Sequence, residues 1–135
     1  MRLIWISLGV AISATMAHAQ DAEVSPFSPE TAGTATFKRC NQNVRYEVER
    51  YKCLSDEFIR QEATLQGVLE ASSTSETPNL KTKALVAQQA WLRYRDDRCN
   101  LWLQTNGSGA GNARLRCLVR ETITRRSDLE HAWDD

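Results

Sequence analysis

Histidine is nearly absent from this sequence. Of two, His18 falls within the first nineteen residues, and His131 is alone in the remainder. No serine or cysteine therefore has a convincing histidine partner for nucleophilic catalysis. Paired carboxylates fare no better. Asp96 and Asp97 are neighbours, so on a helix their side chains diverge by about 100°. Glu47 and Glu49 diverge almost as badly, and neither pair suits general acid/base work on one substrate. Closely spaced metal ligands are missing too: no two cysteines stand in CxxC spacing, and a zinc site would need that or more histidines. Net charge is lacking as well. Seventeen Lys and Arg balance seventeen Asp and Glu, and without Arg2 the basic count is sixteen. That excludes bulk electrostatic binding to nucleic acid. Segments of strand period are absent, and no apolar run is long enough for a comfortable membrane span.

What is present begins with an address. Arg2 is followed by an apolar run, Leu3 to Met16, and then by Ala17-His18-Ala19, a small-x-small cleavage pattern. Residues 1–19 read as a signal peptide, so the expected product is an exported protein of roughly 116 residues, one small domain. No cysteine follows the cleavage site, so no lipid anchor is expected. The product should be periplasmic or secreted, with no membrane anchor after cleavage and no cofactor. Cys40, Cys53, Cys99 and Cys117 all fall in the mature part. An even count in a small exported domain reads as two disulfides. Four cysteines allow three connectivities. Cys40 and Cys53 bracket a short first helix, and Cys99 and Cys117 bracket one turn between antiparallel helices. The expected pairs are therefore 40–53 and 99–117.

Residues 20–37 hold Pro26, Pro29 and many small residues, and read as a loose leader. From 38 to 133 the pattern is helical. Val44, Val48, Tyr51, Leu54, Phe58, Leu65 and Leu69 recur at three- and four-residue steps. Ser55-Asp56-Glu57 resembles a helix start, which splits this stretch into a short helix ending near Cys53 and a longer one to about Ala71. Asn79 can cap the next helix, with Leu80, Ala84, Ala87, Trp91, Tyr94 and Leu101 as its apolar stripe. Asn106 to Asn112, NGSGAGN, has neither a preceding strand nor a Gly-Lys-Ser/Thr ending, so it reads as a connection and not a phosphate loop. Asn106-Gly107-Ser108 is a formal glycosylation sequon, relevant only in a eukaryotic secretory pathway. A last helix runs from Ala113 to about Trp133, with Leu115, Leu118, Val119, Thr122, Ile123 and Leu129 on one side. The expected fold is all-α, a small antiparallel bundle of three to four helices.

Charge is unevenly spread: Lys81 to Arg126 holds ten basic residues and three acidic ones. Arg93, Arg95, Arg98, Arg114, Arg116, Arg120, Arg125 and Arg126 are ordinarily a solvated face. Arg95 differs, because it shares a helix face with Trp91, Cys99 and Trp102. A guanidinium there would lie on indole rings and, if buried, would need an acidic partner.

QQAWLRYRDDRC, residues 88–99, resembles the signature of the LprI-type lysozyme-inhibitor family, whose glutamine, tryptophan, arginine and cysteine correspond to Gln89, Trp91, Arg95 and Cys99. The family pattern continues with a glycine-containing loop, here Gly107 to Gly111. A Cys-Leu pair follows, Cys117-Leu118, and then an arginine-rich last helix with Arg125 or Arg126 and Leu129. Upstream, the family's cysteine and aspartate-x-x-leucine element correspond to Cys53 and Glu62-Ala63-Thr64-Leu65, with Glu62 where the family has aspartate and Leu69 where it has tyrosine. The resemblance covers about residues 38 to 131. It implies an exported, disulfide-bonded helical domain that binds a protein partner and inhibits a lysozyme. It also implies an acidic partner for Arg95 at Glu62, with Arg95 buried between Trp91 and Trp102. Arg114 and Arg116, beside the glycine loop, are candidate partner-binding residues. The rival expectation is an envelope adaptor or immunity-type protein with no lysozyme target; the near-neutral charge favours it or a different lysozyme type, since an inhibitor of a strongly basic lysozyme would be expected to be acidic.

Overall fold

The computed structural model describes residues 25–72, 78–105 and 107–131; the signal-type segment and Trp133 lie outside them. Six α-helices follow in order: α1 Pro29–Ala32, α2 Ala35–Gln42, α3 Glu47–Ser72, α4 Pro78–Asn100, α5 Trp102–Thr105 and α6 Ala110–His131. No strand occurs among the described residues, so the fold is all-α, as the absence of strand periodicity requires. A 3-10 turn, Gly107–Gly109, leads into α6. Gly107 has a φ of 51°, the left-handed region that side-chain-bearing residues avoid. No helix of the described residues is long and apolar enough to cross a membrane.

Local chemistry explains the helix starts. Ser28 caps α1 by accepting from Thr31 N at 3.2 Å, with Pro29 at the first helical position. Thr34 caps α2 by accepting from Phe37 N at 3.1 Å. At α3 the Glu49 carboxylate reaches back to accept from Arg45 N at 2.7 Å and Tyr46 N at 3.1 Å, the acidic half of a capping box.

Helices α3 and α6 form the main packed pair, and α4 and α5 lie on α6 while α2 lies on α3. The core joins Phe37, Leu54, Leu115 and Leu118 with Cys53, Cys99 and Cys117, and Val44 and Phe58 pack against it. Cys40–Cys53 ties α2 to α3, with 5.8 Å between Cα atoms, and Cys99–Cys117 ties α4 to α6, with 5.5 Å. These are the two expected pairs. The inward face of α6 is also as expected, with Leu115, Leu118, Val119, Thr122 and Ile123 buried.

Three expectations need correction. α3 is one continuous helix through Ser55, because Cys53, Leu54, Glu57 and Gln61 form an unbroken buried face across the supposed start. The described part of the loose leader, from residue 25, is not loose: it holds α1, and the ring of Phe37 is fully buried. The inward stripe of α4 is not the apolar series Ala84, Ala87, Tyr94 and Leu101, which are all exposed. Arg95 and Cys99 are buried and Trp91 is half-buried, as their shared helix face suggested, and Gln88 is buried without having been expected there. The interior here is polar on the α4 side, so a search for apolar period misses it.

Candidate functional site

Arg95 organises the seam between α3, α4 and α6. It is 4% exposed. Its guanidinium pairs with Glu62 of α3 and with Asp96 at 2.9 Å, and donates to Thr122 Oγ1 of α6 at 3.2 Å. Thr122 in turn donates to Leu118 O. The charge lies 5.1 Å from the ring centroid of Trp91 and 5.2 Å from that of Phe58, within cation–π range. The Glu62 partner and the Trp91 contact were expected. The second ring was not: Phe58 from α3 stands where Trp102 was expected. Chain continuity explains this. α4 ends at Asn100 and Trp102 begins the separate α5, so the seven-residue step no longer keeps one face.

Trp91 has a second cation near it, Arg125 at 5.8 Å, whose Nε donates to Gln88 at 3.2 Å. Gln89, the glutamine singled out by the resemblance, is exposed, and its neighbour Gln88 takes the interior position. Much of the arginine-rich face is spoken for. Arg98 pairs with Glu121 at 3.3 Å, Arg120 with Glu121 at 3.1 Å, and Arg126 donates to Gln61 at 2.9 Å.

A second polar centre left no signal in the sequence. Glu57 is fully buried on α3 and accepts from Thr34 N at 2.8 Å, Thr34 Oγ1 at 2.7 Å, Gln61 Nε2 at 2.8 Å and Arg60 Nε at 3.0 Å. Burial pushes its carboxyl upward, but the donations from Gln61, Thr34 and Arg60 outweigh it and hold the group below the ordinary glutamate range. The acid that looked like a helix start on its own helix instead anchors the cap of α2.

The two candidate partner-binding arginines stand apart. Arg114 donates through Nε to Asn100 Oδ1 at 2.7 Å, beside the glycine turn. Arg116 is ion-paired to Glu30 of α1 and lines a cleft of about 370 Å³ with Ser25, Ser28, Trp102 and Arg120. On the other side of the same bundle end, Glu47, Val48, Tyr51, Ser108, Gly111 and Asn112 line a recess of about 220 Å³. No group of three or more His, Cys, Asp or Glu among the described residues could hold a metal ion. The buried acid Glu57 is engaged by structural donors.

One protein-family model, described as lysozyme inhibitor LprI, matches residues 39–129. The matched span runs from α2 to the last turns of α6 and includes Cys40 and Cys53, Cys99 and Cys117, and the Arg95 seam. No curated protein and no solved structure gives a significant match.

Proposed function

The chain belongs to the LprI family of lysozyme inhibitors, and from that premise we propose that it is exported to the periplasm and inhibits a lysozyme there by occupying its glycan cleft. The family match over residues 39–129 is the observation that carries this reading. Two disulfides in so small a domain support an oxidising compartment, as does the signal-type sequence at residues 1–19.

An inhibitor of this kind need perform no chemistry. Lysozymes cleave glycans with a pair of carboxyl groups, one of which must stay protonated to act as the acid. A rigid body seated in the cleft excludes the glycan. A guanidinium set beside the catalytic acid would also lower its pKa and strip it of the proton it donates. Arg114 and Arg116 lie on α6 just after the Gly107–Gly109 turn. Arg114 is the better candidate of the two. Its present partner is the neutral Asn100 amide, whereas Arg116 must first leave Glu30.

Competition tests the mode. The purified domain should displace a fluorescent chitotriose from the lysozyme cleft, and substituting Arg114 and Arg116 together by Ala should weaken that displacement without unfolding the bundle. Tight binding with the chitotriose still in place would put the domain elsewhere on the enzyme and reject the plug.

A further inference from the structure

The recess between α3 and the glycine turn brings one carboxylate, Glu47, together with the Tyr51 ring, Val48, Ser108, Gly111 and Asn112. Asn112 is 9% exposed, and its Nδ2 donates to Glu47 O at 3.2 Å and to the Glu47 carboxylate. Those two acceptors fix the amide, because the flipped orientation would set oxygen against oxygen. Asn112 Oδ1 is then left buried with no protein hydrogen-bond partner. An unmet buried acceptor is unfavourable, and in a native structure it calls for an explanation. Asn112 lines the recess together with Glu47, Ser108 and Tyr51. Among described contacts, the cation nearest the carboxylate is Arg50, at a loose 3.6 Å.

The rim is apolar and uncovered. Tyr46 is 67% exposed, Val48 73% and Tyr51 49%, although the periodicity of α3 reads Val48 and Tyr51 as inward. Gly111 brings α6 against the Tyr51 ring: a Cβ there would come within 3.2 Å of it. At about 220 Å³ the recess is smaller than the roughly 300 Å³ floor of small-molecule pockets. It suits the head of one long side chain.

We infer that this recess receives an arginine or lysine side chain of the bound protein, with Glu47 pairing its charge and the Tyr51 ring lying against it. A guanidinium or ammonium suits the carboxylate and the ring face together. An anionic group would face Glu47, and an apolar one would leave the acceptors unmet. Exposed tyrosines beside a recess are also the composition of the energetic centre of a protein interface. The site further answers a difficulty raised by the balanced net charge. A neutral inhibitor cannot attract a basic enzyme over a distance, but a local acceptor recess supplies complementarity at contact. The choice of a lysozyme as the bearer of that side chain rests on the proposed function; the recess chemistry does not.

Two arms keep these apart. In the first, N-acetyl-arginine methylamide is titrated into the labelled domain while the Tyr51 ring is followed by NMR. A saturable shift at millimolar probe is expected, lost in Glu47→Gln and in Gly111→Val, and not reproduced by the matching norleucine compound. In the second, Glu47→Gln and Tyr51→Ala are each expected to weaken lysozyme binding by about tenfold or more. Glu47 and Tyr51 are solvent-exposed, and an unfolding curve recorded for each variant separates lost contact from lost fold. If the parent binds a lysozyme and neither variant weakens it, the inference is overturned while the inhibitor reading stands. If no lysozyme binds yet the arginine probe shifts Tyr51 in a Glu47-dependent way, the recess stands and the inhibitor reading falls. No probe shift removes the inference outright.

Discussion

Replacing Arg95 with alanine tests the polar seam most severely. The substitution removes a cation that is 4% exposed, together with two ring contacts, two ion pairs and a bond to Thr122. Breaking a fully buried pair costs about 3–5 kcal/mol, chiefly through the stranded partner charge. Here the stranded partners are not buried: the Glu62 side chain is 36% exposed and that of Asp96 49%, so water takes over much of their solvation. What remains is the loss of two cation–π contacts, each about 0.5–2 kcal/mol, and of the packed methylenes between Phe58 and Trp91. The expected destabilisation is therefore about 2–4 kcal/mol, and the melting temperature should fall by about 10–25 °C for a domain of this size. The same reasoning makes the acidic side cheaper, so Glu62→Gln should cost only about 0.5–1.5 kcal/mol. Arg95→Met, which keeps the stem but not the charge, should fall between the two. The assay is thermal unfolding by circular dichroism at neutral pH under non-reducing conditions. A melting curve for Arg95→Ala within two degrees of the parent would refute the buried seam. Glu62→Gln as damaging as Arg95→Ala would show that the ion pair, and not the stacking, carries the energy.

Acidification should weaken the fold through Glu57. Its folded pKa lies below the ordinary value of 4.5, so its contribution is complete above that value and is lost as pH falls through the lower folded one; urea midpoints should drop as pH falls below the ordinary glutamate range, and Glu57→Gln should flatten that slope while lowering stability at neutral pH. Partial reduction should open Cys40–Cys53 first, because Cys40 is exposed whereas Cys99 and Cys117 are both buried; alkylation and peptide mapping read the order, and each lost bridge should cost about 3 kcal/mol by loop entropy. Gly33→Ala should loosen α1 from the body, since its Cβ would stand 2.2 Å from Pro29 O and 2.9 Å from the Phe37 ring; faster proteolysis near residue 30 with a destabilisation of about 1–3 kcal/mol is expected.

How much of this was legible in the sequence depended on whether a feature was local. Both disulfides follow from cysteines that bracket one helix or one turn, a buried Arg95 follows from a charge on an aromatic face, and its Glu62 partner follows from the family resemblance. The inward face of α6 is visible because it is apolar and periodic. The inward face of α4 is visible only in part: Trp91, Arg95 and Cys99 share a face in the sequence, but Gln88 gives no signal, because its partner Arg125 comes from another helix. Glu57 misled for a related reason. Ser-Asp-Glu is a start signal when it stands alone, but here tertiary packing keeps α3 continuous and turns the acid toward Thr34. Phe37 was lost in a leader rich in proline and small residues, although two capped turns and a core aromatic suffice to dock it. The α3 recess was invisible, since it depends on Gly111 meeting Tyr51 across sixty residues of chain.

The central claim, that this member of the LprI family inhibits a lysozyme by binding alone, is tested most directly by a cell-wall lysis assay with the purified mature domain against chicken-type, goose-type and invertebrate-type enzymes, at low and physiological salt. The account predicts stoichiometric slowing of at least one of the three, no consumption of wall by the domain itself, and weaker inhibition as salt screens the contact. Unchanged lysis by all three at micromolar domain would contradict it and leave an envelope adaptor without a lysozyme target.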